Sequence, residues 1–252
     1  MTNTNDDSLW VRRFHQTPRS DVRLVCFPHA GGSASFYHPV SEALSGTVEV
    51  LALQYPGRQD RRADPCVDDI ADLADQIHEA LWPWADRPLA FFGHSMGAIL
   101  AFEVARRFEW HDRTEMIRIF ASGRRSPSSH RVESVHRRSD SGIVSELQSL
   151  SGTDSRLLGD PELLSMILPA IRSDYKAIET YRCAPGATVN CPIDVFVGDD
   201  DPKTTLDEAR AWAAHTTADF EMTIFPGGHF YLASQQARVI SAVADKLSGA
   251  RV

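Results

Sequence analysis

Leu89-Ala90-Phe91-Phe92-Gly93-His94-Ser95-Met96-Gly97-Ala98-Ile99-Leu100 reads as a strand, a sharp turn and a helix in immediate succession. The apolar run is short enough for a buried strand, it breaks at Gly93-His94-Ser95-Met96-Gly97, and a helix-favouring run from Ala98 to Phe108 follows. A Gly-x-Ser-x-Gly at such a junction is a nucleophile elbow: the serine sits at the tip of a strained turn, and the two glycines let the flanking backbone pass without a Cβ clash. Ser95 is therefore the candidate nucleophile.

Working outward, the same alternation recurs on both sides. Val22–Phe27 predicts a strand that runs into the turn Pro28-His29-Ala30-Gly31-Gly32-Ser33, and Val48–Gln54 predicts a second, closed by Tyr55-Pro56-Gly57-Arg58. Asp64-Pro65 offers an N-cap and a first-turn proline to an amphipathic helix marked by Val67, Ile70, Leu73, Ile77 and Leu81. Further strands are expected at Ile117–Ala121, Pro192–Gly198 and Phe220–Phe225, with helices over Leu206–His215 and Ser234–Leu247. Strands alternating with helices imply parallel pairing, right-handed crossovers and helices on both sheet faces, with reacting groups gathered at the carboxyl ends of the strands.

The alternation stops between Arg124 and Pro185. This insertion holds a polar, arginine-rich segment, a short helical pattern (Ile143, Leu147, Leu150) stopped by Ser151-Gly152, and a second one from Pro161 that is apolar around much of its circumference. A long insertion of this kind is expected to be a lid over the site. With 252 residues and 42% hydrophobic content, residues 1–252 are expected to form a single α/β domain carrying that insertion at about 124–185.

A serine needs a base, and the base needs an acid that fixes its tautomer. In this kind of fold the chain order is serine, acid, histidine. Of the ten histidines, His229 lies beyond a late strand on the turn Pro226-Gly227-Gly228-His229-Phe230, from which a side chain can lean toward the elbow. His215 is read as a cation favoured by a helix C-terminus. His29 and His94 would flank the site as packing or hydrogen-bonding residues, while His15, His38, His78, His111, His130 and His136 read as solvated. For the acid, Asp199, Asp200 and Asp201 follow a predicted strand; Asp201 fits Gly-x-x-Asp-Pro, and Asp200 is the alternative. Backbone N–H groups of Met96, the residue after the nucleophile, and of Ala30, after the first clear strand, are the candidate oxyanion donors.

Composition narrows the partners. A net charge of −8 argues against nucleic acid, and no stretch approaches the ~18 apolar residues of a membrane span. The first residues, Met1 to Asp7, read as a frayed terminus without signal-peptide character, and a cytoplasmic monomer is expected. Four scattered cysteines and no ligand cluster imply neither disulfide framework nor metal, and no phosphate-loop or dinucleotide motif implies a cofactor.

Five motifs in order, Phe27-Pro28-His29-Ala30-Gly31-Gly32, Tyr55-Pro56-Gly57-Arg58, Gly93-His94-Ser95-Met96-Gly97, Gly198-x-x-Asp201-Pro202 and Pro226-Gly227-Gly228-His229-Phe230, resemble the type II thioesterases of polyketide and nonribosomal-peptide assembly lines. The resemblance spans about Val22 to Leu247. It implies an α/β-hydrolase fold with a helical lid inserted before the acid strand. It further implies Ser95, Asp201 and His229 as triad, and a stand-alone editing activity on acyl groups held by the phosphopantetheine arm of acyl or peptidyl carrier proteins. Arg124, Arg125, Arg131, Arg137 and Arg138, or Arg58, Arg61 and Arg62, are candidates to meet an acidic carrier. A fatty-acyl chain-releasing thioesterase, a carboxylesterase or lipase, and a non-enzymatic carrier-binding scaffold are the alternatives.

Overall fold

The computed structural model describes residues 7–110, 115–150 and 160–248. Seven strands form one sheet: β1 (Val11–Arg12), β2 (Arg23–Phe27), β3 (Glu49–Leu53), β4 (Leu89–His94), β5 (Met116–Ser122), β6 (Ile193–Gly198) and β7 (Phe220–Phe225), in the order β1-β3-β2-β4-β5-β6-β7. β1 pairs antiparallel with β3, and every other pairing is parallel. Parallel strands are covered on both faces, so their side chains alternate between two apolar layers. Val25 and Phe27, Leu51 and Leu53, Phe91, and Val195 and Val197 point into one layer; Leu24 and Cys26, Val50 and Ala52, Phe92, and Phe196 point into the other.

The described helices are α1 (Asp7–Trp10), α2 (His38–Ala43), α3 (Ile70–Leu81), α4 (Met96–Trp110), α5 (Asp140–Leu150), α6 (Pro161–Thr180), α7 (Leu206–Arg210), α8 (Tyr231–Ser234) and α9 (Gln236–Ser248). Helices α3 and α4 cover the first layer, and α8 and α9 the second. Among the described residues no helix is long and apolar enough to cross a membrane.

Helix boundaries shift where capping groups are already engaged. The α3 helix starts at Ile70, capped by Asp69, whose carboxylate accepts from Ala71 N and Asp72 N; Asp64 is instead held by Arg61 Nε at 2.8 Å, so it cannot cap there. The segment expected to be one helix over Leu206–His215 is α7 followed by a 3₁₀ turn over Ala211–His215. The last helix begins at Gln236, after the separate turn of α8.

Between β5 and β6 the chain builds α5, α6 and a 3₁₀ turn at Val135–Arg137 around a third apolar cluster of Val135, Ile143, Leu147, Leu168 and Ile171. The C-terminal half of α6 belongs to a different cluster, since Ala177 and Ile178 join the main core. Thus α6 bridges the insertion and the sheet. Ser151-Gly152, His111 and Met1 to Asp6 lie outside the described residues, as does most of the segment joining α5 to α6.

Candidate active site

Because β2, β4, β5, β6 and β7 run parallel, the loops that leave them emerge along one edge of the sheet. Ser95 lies between β4 and α4 with φ +55°, a left-handed conformation that costs a side-chain-bearing residue of order 1–3 kcal/mol. Its neighbours explain how the turn is tolerated. A Cβ on Gly97 would stand 2.0 Å from Phe27 O, and one on Gly93 would stand 2.1 Å from Gly97 O, so only glycine allows the approach. Ser95 N donates to Ser122 O at 2.8 Å, tying the tip to the end of β5.

The serine Oγ lies 3.1 Å from His229 Nε2, and His229 Nδ1 is 3.0 Å from both Asp201 carboxylate oxygens. His229 and Asp201 are buried. The three consecutive aspartates separate cleanly. Asp199 Oδ1 accepts from Gly227 N at 2.9 Å and so staples the acid loop to the histidine loop; Asp200 is exposed; Asp201 turns inward, its Oδ1 also accepting from Lys203 N at 2.8 Å. An N–H on the Nδ1 side directed at Asp201 leaves Nε2 as the acceptor for the serine hydroxyl.

Met96, fully buried, opens α4, where first-turn N–H groups have no acceptor within the helix. Ala30 lines the same cavity as Ser95 and His229. Its neighbour Gly31, at φ +76°, donates its N–H to Asp174 Oδ2 at 2.8 Å, and Ile171 fills the space a Cβ would need. Asp174 and Ile171 both belong to α6. Arg58 completes this contact: its Nη1 and Nη2 bind the Asp174 carboxylate at 2.7 and 2.9 Å, and Nη1 also donates to Gly32 O at 3.0 Å. A buried two-pronged ion pair therefore fastens the inserted helix to the loop that carries Ala30. Tyr55-Pro56-Gly57-Arg58 is visible in the sequence, but nothing in the sequence marks Asp174 as its partner.

Two further histidines back the site. His94 is fully buried, with Nδ1 2.9 Å from Ser122 Oγ, which is 2.6 Å from Tyr231 OH; its ring lies 5.1 Å from that of His229. His29 packs edge-on against Phe36 and Phe230. Burial, then the charge of a protonated His229, then Arg58 for His29 and His29 itself for His94, hold both rings far below the usual histidine range, His29 at about 3. Both rings are neutral at neutral pH.

Several residues stand elsewhere than the sequence suggests. Arg58 and Arg61 are buried, Arg61 stacking on Trp10 and held by Asp64, so neither faces a partner; of that set Arg62 alone is exposed. The basic run after β5 divides: Arg125 is buried against Glu133 and Arg131 is half-buried against Glu208, whereas Arg137 and Arg138 are exposed, Arg138 pairing with Glu146. His215 is no helix-end cation. It is buried, bonded to Ala187 O and Ser128 Oγ, and burial pushes its pKa down despite the Ala187 bond. His136 is held by Glu179, His15 lies against Ser41 and His78 packs on Phe108, all half-buried, whereas His38 and His130 are exposed as expected, His38 beside Phe14.

The cavity above Ser95 is roofed by Leu147 and Leu150 of α5 and by Tyr175 and Ile178 of α6. Arg124, Glu133 and Lys203 line its polar side. The arrangement pairs an activated hydroxyl with an apolar recess, which suits attack on an acyl carbonyl carried on a flexible chain.

A family model described as the thioesterase domain matches residues 22–247. The chain is 53% identical over 246 residues to a probable cadicidin biosynthesis thioesterase of Streptomyces griseus, which covers 97% of this chain and 68% of that protein. It is 48% identical over 243 residues to thioesterase PikA5 of Streptomyces venezuelae, covering 96% and 86% respectively. The solved type II thioesterase BorB from the borrelidin biosynthetic cluster superposes with a TM-score of 0.89 at 48% identity, covering 95% of this chain and 98% of that one.

Proposed function

The chain belongs to the thioesterase domain family and is an α/β-hydrolase acting on thioesters; on that premise we propose that it is an editing thioesterase, clearing acyl groups from carrier-bound phosphopantetheine in a polyketide or nonribosomal-peptide pathway. His229 takes the Ser95 proton, Ser95 attacks the thioester carbonyl, and the N–H groups of Met96 and Ala30 receive the oxyanion. The thiol leaves with the proton held by His229. Water, deprotonated by the same histidine, then releases the acyl group and restores Ser95. Asp201 holds the imidazole tautomer and offsets its charge during each transfer. Residues 124–185 serve as the lid of a single catalytic domain.

The observation that carries this reading is the hydrogen-bonded series Ser95–His229–Asp201 beneath a cavity roofed by two inserted helices. The relatives named for cadicidin and borrelidin biosynthesis supply the pathway context. The test is hydrolysis of a panel of acyl groups loaded on carrier proteins by wild type and Ser95→Ala, beside simple oxygen esters of the same acids. Turnover of carrier thioesters is expected to fall by orders of magnitude in Ser95→Ala. A strong preference for oxygen esters points to a carboxylesterase, and a function intact in Ser95→Ala points to a scaffold; either result defeats the proposal.

A further inference from the structure

A second cavity abuts the first, sharing Arg124 and Ile178 with it, and its lining is basic. Arg124, Arg125 and Arg182 face it together with Ser126, Ser128 and Ser129. Arg125 is 2% exposed; its Nη2 pairs with Glu133, while its Nε and Nη1, like Arg124 Nε, have no hydrogen-bond partner among the described residues. Among the same residues neither Arg124 nor Arg182 has a carboxylate partner, Arg182 donating to the backbone carbonyls of Glu179 and Tyr181. Three guanidinium groups thus line the cavity, and Glu133, the carboxylate paired with Arg125, is shared with Lys203, in a chain whose net charge is −8. Burial and the neighbouring Arg125 charge push Arg124 down to about 9, as expected where positive charge is locally in excess.

Buried N–H donors demand acceptors, and guanidinium forks match the oxygens of a phosphate. The serine hydroxyls add rotatable donors, with Ser126 Oγ 2.7 Å from Ser129 Oγ. Several convergent donors suit a tetrahedral anion better than a two-oxygen carboxylate, and the join at Arg124 places this basic chamber next to the one that holds Ser95.

We propose that this second cavity binds the phosphate of the phosphopantetheine arm that delivers the acyl group to Ser95. The proposal rests on the reading of the chain as acting on carrier-bound thioesters. Anchoring the phosphate there fixes the arm at its far end, so that its thioester is presented to the serine with less lost freedom.

The test compares three thioesters of one acyl group, on pantetheine, on 4′-phosphopantetheine and on coenzyme A, with wild type, Arg125→Gln and Arg182→Gln. Wild type is expected to favour the phosphopantetheine thioester over the pantetheine one, mainly through KM. Each substitution is expected to cut that preference about tenfold, the worth of one charge-assisted hydrogen bond. Among the described residues Arg182 bonds only to nearby carbonyls, so its variant keeps the test valid if Arg125→Gln fails to fold. A preference unchanged by Arg182→Gln overturns the site. A loss confined to the coenzyme A thioester assigns the cavity to nucleotide phosphates and overturns the arm reading. Failure of the underlying function looks different, because wild type would then hydrolyse none of the three. In that event calorimetric titration with inorganic phosphate still reads the cavity: binding weakened in Arg182→Gln supports an anion site, and no binding to wild type at millimolar phosphate overturns it.

Discussion

The elbow at Ser95 and the inserted helix α6 face each other across one cavity, and different forces order them. The elbow is set by backbone sterics that five residues encode, Gly93 clearing Gly97 O inside the turn and Gly97 clearing the Phe27 O of neighbouring β2 by distances no Cβ could keep. The insertion is set by side chains that find partners far along the chain: Arg58 and Asp174 are separated by 116 positions, and Arg131 and Glu208 by 77. Local constraints are written in adjacent letters, whereas long-range pairs exist only once the chain has folded. The largest test of this contrast lies in the acid loop, where a local motif and a long-range bond meet. Asp201→Asn should lower kcat by about 10⁴-fold, since an amide favours the wrong imidazole tautomer. Asp200→Asn should stay within a few-fold because its side chain is exposed. Steady-state kinetics of both variants decide it, and an equal loss in Asp200→Asn would overturn the assignment.

That loop also marks the limit of what the sequence disclosed. Apolar runs located β2 through β6 to within about two residues, because strands buried on both faces leave continuous hydrophobic stretches, while β7, half-exposed at the sheet edge, alternates apolar and polar residues over Phe220–Phe225. Ser95 and His229 were recognisable from turn chemistry at strand ends. Three adjacent aspartates, however, look alike in one dimension; they differ only in that Asp199 reaches Gly227 N and Asp201 reaches His229. The arginine-rich run after β5 reads as one continuous surface for the same reason, although Arg125 is buried while Arg137 and Arg138 are exposed. Its acids, Glu133, Glu146 and Glu208, are brought to it by tertiary folding, and exposure cannot be inferred from composition alone.

A second substitution breaks the contrast from the insertion's side. Removing one member of a buried ion pair leaves the other charge without compensation, typically at about 3–5 kcal/mol. Asp174→Asn is therefore expected to destabilise the fold by that order in urea unfolding, and to lower kcat because a single amide oxygen must replace the two that serve Gly31 N and both Arg58 nitrogens, so the Ala30 loop loosens. Arg58→Gln combined with Asp174→Asn should cost less than the sum of the single changes, since neither charge is then stranded. Additive losses would mean that the pair does not couple α6 to the loop.

Acid titration separates the two regions by their chemistry, with a smaller effect. His29 and His94, on the elbow side, are held neutral by burial, so the unfolded chain binds protons there that the folded chain does not. Their contribution is complete above the ordinary histidine range, near pH 6.5. It is lost as pH falls from there toward the folded value, about 3 for His29, at up to ~1.4 kcal/mol per pH unit for each ring. Glu133, in the insertion, behaves differently. Burial opposes its charge, but the Arg125 hydrogen bond and the charges of Arg125 and Lys203 prevail and hold it at about 2. Its contribution is full above the ordinary glutamate range and is lost only as pH falls from about 4.5 toward 2. Stability in urea should thus decline between pH 6.5 and 5 through the histidines alone, before the carboxylate pairs around α5 and α6 respond. His29→Gln should make that first decline shallower, His94 and His215 still contributing, and leave the second untouched, because glutamine binds no proton in either state. A midpoint unchanged from pH 7 to 5, or a first decline as steep in His29→Gln as in wild type, would show that burial does not keep this ring neutral and that the elbow side carries no separate acid response.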